Sequence, residues 1–160
     1  MKVCIDSQVF IWGIKKQATD SQQDMIIKSE QFFKWADEND YDILIPTIVI
    51  AEVLAPEPIE LHSQYFEIIN KYFEVVNVDN IVASKYAQIL HNRFNEVKEL
   101  AKQENIRREK MKFDHLIIAC ALIQHASCIY SYDAGLKKFA NGLIDVRELP
   151  IITVQAELPL

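Results

Sequence analysis

Val3–Trp12 reads VCIDSQVFIW, a short apolar run closed by one acid, then a serine, then a second apolar stretch. Lys2 to Ile5 is β-prone and ends at Asp6. Beyond it, Met25, Ile26, Phe32, Phe33 and Ala36 fall on one helical stripe within Gln22 to Asp37. The chain therefore opens as strand, acid, helix.

That order recurs. Asp42 to Ile45 reads as a second brief strand stopped by Pro46, and TIVIAEVLA, Thr47 to Ala55, as a helix ended by Pro56 and Pro58. Leu61, Tyr65, Ile68, Ile69 and Tyr72 share a helical face, FEVVNV (Phe73–Val78) is a third strand, and Asp79-Asn80 starts a helix. From Ile81 to about Glu104 the apolar stripe predicts one long amphipathic helix. HLIIACALI, His115 to Ile123, predicts a helix buried on nearly every side with Asp114 at its N-terminus. Cys128 to Ser131 is a strand, AGLKKFAN after Asp133 a short helix, and Ile144 to Val146 and Ile151 to Val154 are late strands. The alternation predicts an α/β fold of three layers, α/β/α, with a mostly parallel central sheet, in one domain spanning residues 1–160.

Composition narrows the function classes. Half the residues are apolar and a quarter charged, as in an ordinary globular chain, and only 3 glycines disfavour a Gly-rich phosphate loop. The net charge of -6 excludes a broadly basic polyanion binder, so any nucleic acid must be gripped locally. Cys4, Cys120 and Cys128 lie in or beside apolar runs and form no CxxC unit, which predicts reduced thiols and a cytoplasmic protein. No apolar run approaches the ~18 to 20 residues that span a bilayer, so no membrane is expected as a partner. His62, His91, His115 and His125 show no metal-ligand spacing.

Four acids share one context: Asp6 after VCI, Glu52 inside TIVIAEVLA, Asp114 before HLIIACALI and Asp133 after CIYSY. Each borders sequence that must be buried, where a carboxylate is costly unless compensated, and a divalent cation compensates directly. Sites in open α/β sheets form outside the carboxyl ends of strands, where Asp6 and Asp133 fall. Oxygen-only ligation suits Mg²⁺ or Mn²⁺ rather than zinc. Taken singly the acids read otherwise: Asp114 and Asp133 as helix caps, Asp6 as a turn residue, Glu52 on the outer face of a helix. Asp6 alone also suits a phosphate-accepting nucleophile, but the second acid such phosphatases carry two residues on is Gln8 here.

The order and contexts of Asp6-Ser7, Glu52 in TIVIAEVLA, Asp114 in FDHLIIACAL and Ser131-Tyr132-Asp133 resemble the PIN domain family, especially its single-domain VapC-type toxins. The resemblance covers nearly the whole chain. It implies a metal-dependent ribonuclease that hydrolyses RNA phosphodiesters, with Asp6, Glu52, Asp114 and Asp133 as catalytic metal-site acids holding Mg²⁺ or Mn²⁺. Ser7 and Ser131 would be supporting hydroxyls. It further implies an antitoxin partner and a homodimer, with RNA-processing nucleases outside toxin systems and inactive binding modules as the family's other forms. Arg107, Arg108, Lys110 and Lys112 in IRREKMK would supply RNA phosphates with a local positive rim, or are solvated helix-end charge.

Overall fold

A computed structural model of the chain describes residues 1–152. Five parallel strands form one sheet: β1 (Lys2–Ile5), β2 (Asp42–Pro46), β3 (Glu74–Val76), β4 (Ile129–Tyr130) and β5 (Val146–Arg147), in the order β3-β2-β1-β4-β5. Strand β1 is central, and Val3, Cys4 and Ile5 are all buried, as a parallel strand covered on both faces requires. Eight α-helices accompany the strands among the described residues: α1 (Ser7–Phe10), α2 (Gln23–Glu38), α3 (Thr47–Leu54), α4 (Ile59–Tyr72), α5 (Asn80–Asn92), α6 (Phe94–Gln103), α7 (Arg108–Ile123) and α8 (Ala134–Ala140). The three-layer α/β architecture is the expected one. None of the helices is long and apolar enough to cross a membrane.

Chain order reverses direction at β1: β2 and β3 extend the sheet one way, β4 and β5 the other. Such a switch point opens a crevice at the strands' carboxyl ends. Register places Ile5 beside Tyr130, so the residues that follow, Asp6 and Ser131, emerge together there.

The segment after β1 is anchored firmly. Asp6 caps α1 by accepting from the Val9 N–H at 3.2 Å, and α1 runs into a π-helical turn, Ile11–Lys15, ended by Lys16 at φ 55°. The Lys15 ammonium, nearly buried, donates to the Val53 carbonyl at 2.7 Å and pairs with Glu57. This ties the turn to α3, which packs on α1. Phe10 packs against Tyr65 and Phe73, and Trp12 meets Tyr132 edge-on at 5.3 Å, so the second apolar stretch of the opening segment is floor beneath the strand ends.

Three local expectations are corrected. The single long helix from Ile81 to Glu104 is two, α5 and α6, separated at Arg93, whose φ of -121° leaves the helical region. Arg93 turns its guanidinium to the Phe139 carbonyl at 2.8 Å and to Glu96, anchoring the break. Asp114 is not at a helix N-terminus. Helix α7 begins at Arg108, because REKMK is built of strong helix formers, and Asp114 sits in its second turn. The late strand is Val146–Arg147, shifted from Ile144 to Val146; Ile151 and Ile152 are not in a strand, and Val154 lies outside the described residues.

Candidate active site

Asp6, Ser7, Gln8, Glu52, Arg107, Glu109, Lys110, Phe113, Asp114, Ile117, Asp133 and Leu136 line one cleft of about 510 Å³ at the carboxyl ends of β1 and β4. Four elements supply its acids: the β1–α1 junction, α3, α7 and the β4–α8 junction. A larger hollow of about 760 Å³ lies between α6 and α8, lined by Glu96, Glu99, Lys137 and Lys138 among others. Of the two, only the cleft contains buried carboxylates, Asp6 and Asp114.

Asp6 is 5% exposed. One of its oxygens accepts from Val9 and the other from the Ser131 hydroxyl, a contact spanning 125 residues of sequence. Ser131 also accepts from the Asp133 N–H at 3.0 Å, so one buried hydroxyl fixes the first acid relative to the last. Asp133 caps α8 through the N–H groups of Gly135 at 2.7 Å and Leu136 at 3.0 Å. Its cap role and its place in the cleft coexist, because the two N–H groups use Oδ1 and leave Oδ2 facing Lys110.

Lys110 crosses the cleft. Its ammonium lies 3.3 Å from both Asp114 oxygens and 2.6 Å from Asp133 Oδ2. The four cations expected to act as one rim are divided: Arg107 and Lys110 line the acidic cleft, while Arg108 and Lys112 line a separate apolar groove between α5, α6 and α7. Helix geometry turns Lys110 away from Arg108 and Lys112, which stand two residues to either side of it, and Arg107 is the extended residue before the helix. The link from Lys110 to Asp114, four residues apart on α7, is the spacing at which helical side chains meet, and was the sequence signal for its position. Gly135 also went unremarked in the sequence. A Cβ there would stand 3.0 Å from Asp133 Oδ1 and 3.7 Å from Asp114 Oδ2, so the glycine keeps this side of the cleft open.

The electrostatics separate the acids. Burial pushes Asp6 from the ordinary 3.8 up to about 6 against the hydroxyl of Ser131 and the N–H of Val9. Burial likewise lifts Asp114 to about 6; Lys110 opposes this, and Asp133 and Glu52 add to it by like-charge repulsion. Glu52 is raised by burial, against the Ser7 hydroxyl and Lys110. At Asp133 burial also pushes upward, but Lys110 and the N–H groups of Leu136 and Gly135 outweigh it and hold the group below 3.8.

Stability should follow these shifts. A carboxyl whose value is raised on folding binds more protons in the folded chain, so Asp6 and Asp114 contribute stability at low pH that is lost as pH climbs from roughly 4 to above 6. Asp133 acts oppositely, its contribution vanishing on acidification below the ordinary range. Urea unfolding in EDTA at pH 4.5 and 7 is expected to show a loss of stability in the wild type that shrinks in an Asp6→Asn/Asp114→Asn protein. Equal pH profiles for the two proteins would rule out these acids as the source.

The donor set suits a hard divalent cation: four carboxylates, all oxygen, two of them buried without enough positive charge to hold them comfortably ionised. As arranged, no group of three or more His, Cys, Asp or Glu side chains among the described residues stands at metal-holding distances. Lys110 lies between two of the acids, and its ammonium already engages their oxygens.

Comparison with known proteins bears on this site. Residues 3–142 match the family model described as PIN domain. Among solved structures, a chain of VapBC2 from Rickettsia felis, crystallised bound to a DNA fragment from their promoter, superposes with a TM-score of 0.61 at 15% identity. The match covers 94% of this chain and 100% of that one. No curated protein matches the sequence.

Proposed function

The chain belongs to the PIN domain family, whose members are generally nucleases that typically use divalent metals, and from that premise we propose a divalent-metal-dependent ribonuclease acting as the toxin of a toxin–antitoxin pair. One observation carries the proposal: carboxylates from four separate elements meet in a single cleft at the sheet's switch point. Asp6, Glu52 and Asp114 would be the main ligands of Mg²⁺ or Mn²⁺, with Asp133 completing the set. A bound dication would neutralise a nonbridging phosphate oxygen and lower the pKa of a water molecule beside it.

The chain's own residues do the rest. The four acids bind and orient rather than attack, and Ser131 holds Asp6 in one rotamer while anchoring the backbone of Asp133. Ser7, beside Glu52, supports that carboxylate. Arg107 lines the cleft, where it would receive a substrate phosphate, whereas Arg108 and Lys112 line the neighbouring groove and would meet only a strand that leaves the cleft on that side. Phe113, 37% exposed at the cleft, offers an unpaired base a ring face.

The toxin role draws support from the likeness of fold to the VapBC2 chain. It brings with it an antitoxin partner, a homodimer and a cytoplasmic setting, with residues 1–160 acting as one nuclease domain. Incubation with fluorescent single-stranded RNA of random sequence is expected to give cleavage in Mg²⁺ or Mn²⁺ and none in EDTA, with DNA of matching sequence left intact. Cleavage that persists in EDTA, or that prefers DNA, would overturn the proposal.

A further inference from the structure

Lys110 holds a place that neither a rim residue nor a simple surface cation would take. It projects from α7 one turn before Asp114, and its ammonium addresses both oxygens of that acid and the free oxygen of Asp133. The two acids come from different elements: Asp114 lies on the long helix α7 and Asp133 caps the short helix α8. The ammonium links the two directly. Its own side chain is 44% exposed, so its outer end has a route into solvent.

A small divalent cation binds carboxylate oxygens at about 2.0–2.1 Å. An ion seated on Asp114 and Asp133 needs the oxygens that Lys110 now engages, and the ammonium cannot stay where it is. We propose that Lys110 is a tethered counter-cation that occupies the acid cluster in the metal-free chain and must be displaced for a divalent ion to bind.

The exchange has a clear physical logic. With four clustered carboxylates and no ion, repulsion would drive the acids apart or force them to take up protons, and one internal positive charge limits both. A monovalent cation in solution gains little against an ammonium that is already in place. A dication brings twice the charge and can displace it. Released, Lys110 remains on its four-carbon stem at the cleft beside Arg107, where a phosphate would arrive. The inference rests on the metal-binding part of the proposed function, and goes beyond it by assigning the lysine to the metal-free state.

Titration of the full chain and a Lys110→Met variant with Mn²⁺ alone, followed by calorimetry and by the electron paramagnetic resonance of free Mn²⁺, tests it. The variant is expected to bind Mn²⁺ roughly tenfold tighter, the factor being set by the fraction of time the ammonium leaves the acids free. Equal or weaker binding by Lys110→Met overturns the inference while leaving a metal-dependent nuclease standing. No Mn²⁺ binding by either protein overturns both. A second measurement needs no variant: reductive methylation of the wild type, read by mass spectrometry, should label Lys110 faster once Mn²⁺ is added, with Lys71 on α4 as the internal reference. Unchanged labelling under saturating Mn²⁺ also overturns it.

Discussion

Asp114→Asn is expected to lower RNA cleavage by about 10²- to 10³-fold, the scale on which removal of one transition-state-stabilising group acts, while leaving the fold intact. The carboxylate is 5% exposed and pushed to about 6, so at neutral pH it is ionised in surroundings that resist its charge. Asparagine keeps the shape and removes the charge. In EDTA at pH 7.5 the melting temperature should therefore rise, by about 2–4 °C for each kcal/mol of relieved desolvation and repulsion in a chain of this size. Asp6→Asn should behave alike in activity, with a smaller gain because both Asp6 oxygens accept hydrogen bonds, from Val9 and Ser131, and asparagine keeps only one acceptor oxygen. A site built for binding a dication costs stability when the dication is withheld, so loss of activity with gain of stability is its signature. A folded Asp114→Asn protein that cuts RNA at the wild-type rate would remove Asp114 from the chemistry.

Gly13→Ala is expected to destabilise the chain by about 1–3 kcal/mol, the usual cost of forcing an extra methyl into a packed core. Gly13 is buried in the π-helical turn that follows α1, and a Cβ there would fall 2.3 Å and 2.8 Å from two ring carbons of Phe33 and 3.0 Å from the Ser29 Cβ. The ring is partly buried and its retreat would break two aromatic contacts. It is held edge-on to Phe73 with centroids 5.6 Å apart and tilted against Phe32 at the same separation. Urea denaturation measures the loss, and a double-mutant cycle identifies its cause. Phe33→Leu should cost stability alone but recover part of the loss when combined with Gly13→Ala. Additive costs would mean that the methyl is accommodated by something other than this ring.

The acids were legible in the sequence because each interrupts or borders an apolar run, and the strand ends followed from β-prone segments stopped by Asp6, Pro46 and Asp133. What the residues did not disclose is how the helices are cut and turned. The apolar stripe from Ile81 to Glu104 continues across Arg93, and the break there depends on a carbonyl of Phe139, 46 residues away, to which no local pattern points. In IRREKMK the charges mask a good helix propensity, which starts α7 at Arg108 and puts Asp114 inside the helix rather than at its end. The same helix divides Arg107, Arg108, Lys110 and Lys112, which in the sequence stand as one patch. Arg107 stays extended before the helix that the other three enter, and Arg107 and Lys110 line the acidic cleft while Arg108 and Lys112 line the neighbouring groove.

The bond from Ser131 to Asp6 and the pairing of β1 with β4 carry a consequence for the chain as it is being made. A nascent chain that has emerged only through α7 already holds Asp6, Glu52 and Asp114, yet it lacks the strand that lies beside β1 and the acid that follows it. Until Ile129 and Tyr130 pair with Cys4 and Ile5, the first acid has no hydroxyl to hold it and the cleft has no far wall. Polypeptide emerges at about 5–20 residues per second, so Asp6 waits for a hydroxyl made 125 residues after it. A chain that stops before β4 would carry three of the four acids with neither the far wall of the cleft nor the hydroxyl that fixes Asp6.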